Sequence, residues 1–203
     1  MRCFIFGALT VNYMPIKPTE NDYIIAADKG YEHIKKLGFP PNLIVGDFDS
    51  LGFVPQGENV KRLNVKKDDT DTAHAAMLAF DKGYREFIFY GCTGGKLEHS
   101  IANVQLAKAI AEKGGKALFI GDNESFTVIK DSSIAFDERH NGRISVFSLS
   151  DVSEGVTEEG LLYSLNDATL YNDNPLGVSN EFIGIHSKIS VKNGFLLIIT
   201  ENK

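Results

Sequence analysis

The first 122 residues alternate short apolar runs with amphipathic stretches, and no other feature restricts the fold as strongly. The runs "CFIF" (3–6), "YIIAA" (23–27) and "NLIV" (42–45) have the length and content of buried strands. Between them "KGYEHIKKLG" (29–38) sets Tyr31, Ile34 and Leu37 on one helical face and ends on Gly38, a helix-stopping residue. The rhythm repeats. Ala73, Ala76, Met77 and Phe80 follow helical spacing, and "FIFYG" (87–91), a helical stretch from about Ser100 to Lys113, and "ALFIG" (117–121) come after. Strands alternating with helices predict an α/β domain: a mostly parallel sheet, Rossmann-like, covered on both faces to make three layers. Ligands of such sheets bind beyond the carboxyl ends of the strands.

After Asp122 the pattern changes. "SFTVIK", "RISVFSL", "ATLY", "HSKISVK" and "FLLIIT" are short strand-like pieces separated by turn signals such as Asn141-Gly142 and Asn193-Gly194, with no long amphipathic helix. The expected division is therefore 1–122, an α/β nucleotide-binding domain, and 123–203, an all-β sandwich. At 203 residues the chain is long enough to bury both cores.

A net charge of −6 argues against a nucleic-acid backbone or an anionic membrane as partner, so an anionic ligand must be held locally or through a metal. Cys3 and Cys92, both in strand-like runs, read as reduced thiols, and this points to the cytoplasm. The opening "MRCFIFGALTVNYMP" is shorter than the roughly 20 apolar residues of a spanning helix and lacks a signal-cleavage pattern; a first strand and its loop are expected there.

Acidic residues gather where strands should end. In "LIVGDFDS", Asp47 and Asp49 are two apart just past an apolar run, so both side chains can point the same way at the sheet edge. Oxygen donors converging there suit Mg²⁺; the alternative is that Asp47 caps a turn. "VKKDDTDTAHA" puts Asp68, Asp69 and Asp71 at the start of a periodic helix, where capping explains one such residue but not three. A cation shared by the two groups would remove their repulsion and bind phosphates. Asp28, in "AADKGY", is a third acid at the same edge, with an N-cap as its alternative role.

"YGCTGGKLEHS" lies between a strand and a helix, where backbone N–H groups and a helix N-terminus can hold phosphate. It is not a P-loop: Gly91 and Gly95 are one residue too close, and Leu97 stands where a metal-binding hydroxyl is needed. Lys96, Glu98 and His99 are candidate ligand contacts or a solvated helix start. The remaining histidines show no zinc-ligand spacing.

Read in order, "AADKG", "GDFDS", "KDDTDT", "GCTGGKLEH", "GLLYSL" and "GVSNE" resemble the motif series of the thiamine pyrophosphokinase family across nearly the whole chain. The resemblance implies a nucleotide-binding α/β domain followed by a β-sandwich. It also implies a homodimer with its active site at the subunit interface, between one subunit's first domain and its partner's second. The implied reaction is ATP plus thiamine giving AMP and thiamine diphosphate, with Mg²⁺ required. On the same ground Asp47, Asp49 and Asp71 hold the metal, and Asp28, Asp68, Thr70, Gly94, Gly95 and Lys96 line the ATP, phosphate and substrate site; the chemistry of the transfer makes Asp71 or Asp68 the candidate base. Glu98, Ser179 and Asn180 contact thiamine. Without the resemblance, Ser179-Asn180 reads as a turn between strands. One motif departs from the family's G-G-R-x-D-H: Lys96 lacks the bidentate fork of arginine and Glu98 reaches one methylene further than aspartate.

Two other readings compete. A haloacid-dehalogenase-type phosphatase also uses D-x-D, but on its first strand and with Thr or Val where Leu51 stands here. A non-catalytic sensor of thiamine diphosphate or a nucleotide would not demand two acidic groups.

Overall fold

The apolar runs of the first half form parallel strands because each is buried on both faces. In this computed structural model, which describes residues 1–49, 51–64 and 69–202, the elements in chain order are β1 (Arg2–Phe6), β2 (Tyr23–Ala27), α1 (Gly30–Leu37), β3 (Leu43–Gly46), β4 (Val60–Arg62), α2 (Asp71–Asp81), β5 (Glu86–Tyr90), α3 (Leu97–Glu112) and β6 (Lys116–Ile120). Then follow β7 (Glu124–Lys130), β8 (Ser133–Phe136), β9 (Arg143–Ser148), β10 (Val152–Glu159), β11 (Leu165–Tyr171), β12 (Gly177–Glu181), β13 (Ser187–Ser190) and β14 (Phe195–Glu201). The chain divides into two units, one of residues 1–106 and 117–122, the other of residues 107–116 and 123–203.

In the first unit the strands run in the order β6-β5-β1-β2-β3-β4, and β5, β1, β2, β3 and β4 pair in parallel. Phe4 and Phe6 share a fully buried cluster with Ile34 of α1, while Phe87, on the opposite face, stacks on Phe80 of α2. Gly38 stops α1 as expected, with φ 78° and its N–H returned to the last turn.

Two expectations about the helices need correction. The buried residues of α2 are Ala75, Ala76 and Ala79, not the Ala73, Ala76, Met77, Phe80 stripe. Small side chains let the helix lie close to the sheet, which leaves the larger Met77 and Phe80 half-buried at its flank. The helix expected from Ser100 begins at Leu97. Its first turn is exposed, so no apolar periodicity marks it.

The second unit is antiparallel, with strand orders β12-β9-β14-β7 and β11-β10-β13-β8. Ile144 and Val146 of β9 and Leu196 and Ile198 of β14 share one core with Val156 of β10, Leu170 of β11 and Ile189 of β13. Ser179 and Asn180 lie inside strand β12, not in a turn. There the register against β9 slips between Gly177 and Asn180, and Ser179 takes φ 59°. A bulge places polar residues within the strand, and this is why the segment looks like a turn in sequence.

Candidate active site

Parallel strands put the ends of β1, β2, β3 and β5 at one edge of the first unit, and the acidic and glycine-rich segments leave from that edge. Asp28 follows β2. Its N–H extends the ladder by donating to the Val45 carbonyl at 2.7 Å, and its backbone then turns left-handed at φ 48°. Asp28 is 8% exposed, and its Oδ1 is buried without a hydrogen-bond partner. It is not a helix cap: the N-cap of α1 is Lys29, which makes no side-chain capping bond. Gly30 opens that helix because a Cβ there would lie 1.9 Å from the Phe6 carbonyl oxygen.

Asp47 and Asp49 follow β3. Between them Phe48 is 3% exposed with φ 64°, so core burial of the ring holds a backbone geometry that costs on the order of 1–3 kcal/mol in a non-glycine residue. The Asp49 N–H donates to Asp47 Oδ1 at 3.2 Å. One carboxylate oxygen from each of Asp28, Asp47 and Asp49 lies within 4.8 Å of the others. Such close carboxylates, one with an unpartnered buried oxygen, fit a hard divalent cation: the donors are all oxygen, as Mg²⁺ prefers.

Along the same edge, the loops after β1 and β5 are joined by Gly7 N–H to Tyr90 O at 2.8 Å and Leu9 N–H to Gly91 O at 3.0 Å. Gly91 has φ 65°, and a Cβ there would meet the Leu9 carbonyl oxygen at 2.4 Å, so only glycine permits this approach. Beside these loops is a cavity of about 250 Å³ whose lining includes Leu9, Cys92, Gly95, Lys96, His99 and Asn103. Asn103 is 5% exposed and donates to the Cys92 carbonyl at 2.6 Å, tying α3 to the loop. Sequence reasoning passed over it. The signal was a polar residue in helical phase with the buried Leu106, Ala107 and Ile110. His33, also buried, places Nε2 3.0 Å from the Ala8 carbonyl oxygen, which it can only meet as a donor. Burial pushes the Cys92 thiol up to about 12, too high for a nucleophile near neutral pH.

The other expected residues are distributed as follows. Gly94, Gly95 and Lys96 are exposed on the loop, and Glu98 is exposed in the first turn of α3. Thr70 is the N-cap of α2, its hydroxyl accepting from the Ala73 N–H at 3.2 Å. Asp71 is the first residue of that helix and stands outside the three-carboxylate group. Asp68 lies outside the described residues. In the second unit, Ser179 is exposed and its N–H donates to Ser145 Oγ at 3.0 Å; Asn180 is 4% exposed.

Comparison with known proteins follows both units. The family model "Thiamin pyrophosphokinase, catalytic domain" matches residues 18–119, and "Thiamin pyrophosphokinase, vitamin B1 binding domain" matches residues 131–196. The chain is 26% identical over 187 residues to a thiamine pyrophosphokinase of Bacillus subtilis, covering 89% of this chain and 87% of that protein. Its fold is similar to the crystal structure of thiamine pyrophosphokinase from Bacillus subtilis, with a TM-score of 0.87, 23% identity and all of both chains covered. It is also similar to thiamin pyrophosphokinase from Candida albicans, with a TM-score of 0.78, 13% identity, and 99% of this chain and 89% of that one covered. Among the described residues no helix is long and apolar enough to cross a membrane.

Proposed function

This chain belongs to the thiamin pyrophosphokinase family, and from that premise we propose that it transfers the β,γ-pyrophosphoryl group of ATP to the primary hydroxyl of thiamine, giving thiamine diphosphate and AMP. The observation that carries the reading is the convergence of Asp28, Asp47 and Asp49 at the carboxyl ends of adjacent parallel strands, within a chain matched in both parts by the family. The phosphatase and sensor readings are not favoured by that match. The first unit is read as the Rossmann-like, three-layer nucleotide-binding part, and the assembly as a cytoplasmic homodimer with the active site at the subunit interface, as the motif series implies.

In this reading Asp28, Asp47 and Asp49 hold Mg²⁺, and the bound ion supplies neutralisation of charge on the phosphate oxygens. The backbone N–H groups of Gly94 and Gly95 and the Lys96 ammonium bind the triphosphate. The hydroxyl oxygen of thiamine forms a bond to the β-phosphorus as the bond from that phosphorus to the α,β-bridging oxygen breaks, and AMP leaves. The hydroxyl proton passes to a carboxylate, for which Asp71 and Asp68 are the candidates. Such transfers rest chiefly on alignment, which rigid strand ends serve better than mobile loops. Thiamine's ring system is bound by the second unit, with Ser179 near it.

The test is chromatographic. Purified protein with ATP, thiamine and Mg²⁺ should give AMP and thiamine diphosphate in equal amounts, and neither product with a chelator present. ADP with thiamine monophosphate, or no turnover, would contradict the proposal.

A further inference from the structure

One carboxyl group of the second unit is sealed from water with no cation beside it. Glu158, on β10, is 1% exposed. Its Oε2 accepts from Asn180 Nδ2 at 2.9 Å, while its Oε1 is buried with no hydrogen-bond partner. Leu165 of β11 and Ile189 of β13 flank it across the sheet. The charged groups of the elements packed against it, Glu154 and Glu159 of β10, Asp167 of β11, Glu181 of β12 and Lys188 of β13, are all exposed, as is Tyr163, so none of them neutralises a charge at this position. A carboxylate here is an unpaired buried charge, and burial favours the neutral form.

Asn180 joins that carboxyl to a surface segment. Its amide Nδ2 donates to Glu158 Oε2 and, at 2.7 Å, to the Tyr163 carbonyl. Its Oδ1 accepts from the N–H groups of Tyr163 and Glu181, both at 2.9 Å. Two hydrogens and two lone pairs are the full capacity of an amide side chain. The Leu162 N–H adds a bond to the Glu181 carbonyl at 2.9 Å. Residues 162–164 are thereby pinned to β12, next to the buried Leu161. Leu162 and Tyr163 are themselves 50% and 66% exposed, so apolar burial adds little to these polar bonds. Beside the segment is a cavity of about 280 Å³, room for several water molecules, from which Oε1 is shut off while the segment is in place.

We propose that Glu158 and Asn180 form a proton-operated latch: with the proton on Glu158 the 162–164 segment is closed on β12, and loss of that proton opens it. A carboxylate at this position gains hydration from the cavity side, and water reaches it there when the segment lifts and the bonds between Asn180 and Tyr163 break. Opening is therefore linked to release of one proton. Above the pKa of the closed form, the opening equilibrium constant rises about tenfold per pH unit until the pKa range is passed in the open form as well as the closed. The latch needs no ligand and stands apart from the transfer chemistry. Glutamine keeps the shape of Glu158 and a partner for Asn180 but has no proton to lose, so it locks the segment closed at every pH.

The test is amide hydrogen exchange of the full-length protein between about pH 5 and about pH 9, with the intrinsic exchange rates divided out. In wild type the protection of the Tyr163 and Glu181 N–H groups, the two that donate to Asn180, should fall at least about 10-fold across this range. Protection of Leu197 and Ile198, in the doubly paired strand β14, should stay within about 2-fold. In Glu158→Gln the protection of Tyr163 and Glu181 should not change with pH. Wild-type protection of these two groups that is flat across the range overturns the proposal whether or not Glu158→Gln folds. An equal fall in Glu158→Gln also overturns it, and so does a fall shared by Leu197 and Ile198, which would mean that the unit unfolds as a whole.

Discussion

Replacing Asp28 by Asn should stabilise the metal-free protein and weaken its response to Mg²⁺. One carboxylate oxygen from each of Asp28, Asp47 and Asp49 lies within 4.8 Å of the others, and without a cation all three pairs repel. At that separation one pair costs about 0.9 kcal/mol with the dielectric of water and about 3.5 kcal/mol at an effective value near 20. Asp49 is exposed, so the water-like figure is the conservative choice. Removing Asp28 eliminates two of the three pairs, about 2 kcal/mol, less up to about 1 kcal/mol for burying an amide in its place. Asn tolerates the left-handed backbone at this position, so strain should not mask the effect. A net gain of about 1–2 kcal/mol corresponds to a rise of about 2–8 °C for a chain of this size. The assay is thermal melting with chelator and then with increasing Mg²⁺. Wild type should gain about 2.7 kcal/mol at 100-fold excess over its dissociation constant, and the variant much less, so the order of stability reverses between the two conditions. A variant that melts below wild type without metal, or one that gains as much from Mg²⁺, would refute the reasoning.

Three more outcomes are expected. Because burial raises the Glu158 carboxyl in the folded protein, its contribution to stability is intact below the ordinary carboxyl range and is lost as pH rises toward the raised value. The advantage of Glu158→Gln over wild type in melting temperature should accordingly be larger at pH 8 than at pH 4, and a constant difference would show that the carboxyl does not titrate in this way. Thr70→Ala removes the α2 cap and should cost about 1 kcal/mol in denaturant unfolding, with Thr70→Ser recovering most of it. If the active site is shared between subunits, mixing a metal-site variant, Asp49→Asn, with a second-unit variant, Asn180→Ala, should restore part of the activity through hybrid dimers. No recovery, with subunit exchange verified, would place the whole site in one chain.

The strand frame of the first unit was legible because β1, β2, β3 and β5 are unbroken apolar runs, as strands buried on both faces must be. From them the edge carrying Asp28, Asp47 and Asp49 could be anticipated. What could not be read was which acids meet. Asp71 belongs by spacing to the same acidic set, but it begins a helix, while Asp28 and Asp47 leave neighbouring strands whose register brings them together. The α3 start was hidden because Glu98 and His99 face solvent, and β12 because a bulge admits Ser179 and Asn180 into a strand. In β10, "VSEGVTEE", the polar letters suggest a surface loop. Yet Glu158 stands two residues from Val156, in phase with a core position, and that period of two was the available signal for its burial.

Transfer of a pyrophosphoryl group, not a single phosphoryl group, from ATP to thiamine leaves a distinct record in the β-phosphorus. It is tested most directly with ATP labelled at the β-phosphorus, Mg²⁺ and thiamine, by following the label through one reaction. The label should appear in thiamine diphosphate, and AMP should be unlabelled. Label retained in ADP while thiamine monophosphate accumulates, or released as inorganic phosphate or pyrophosphate with thiamine unchanged, would contradict it.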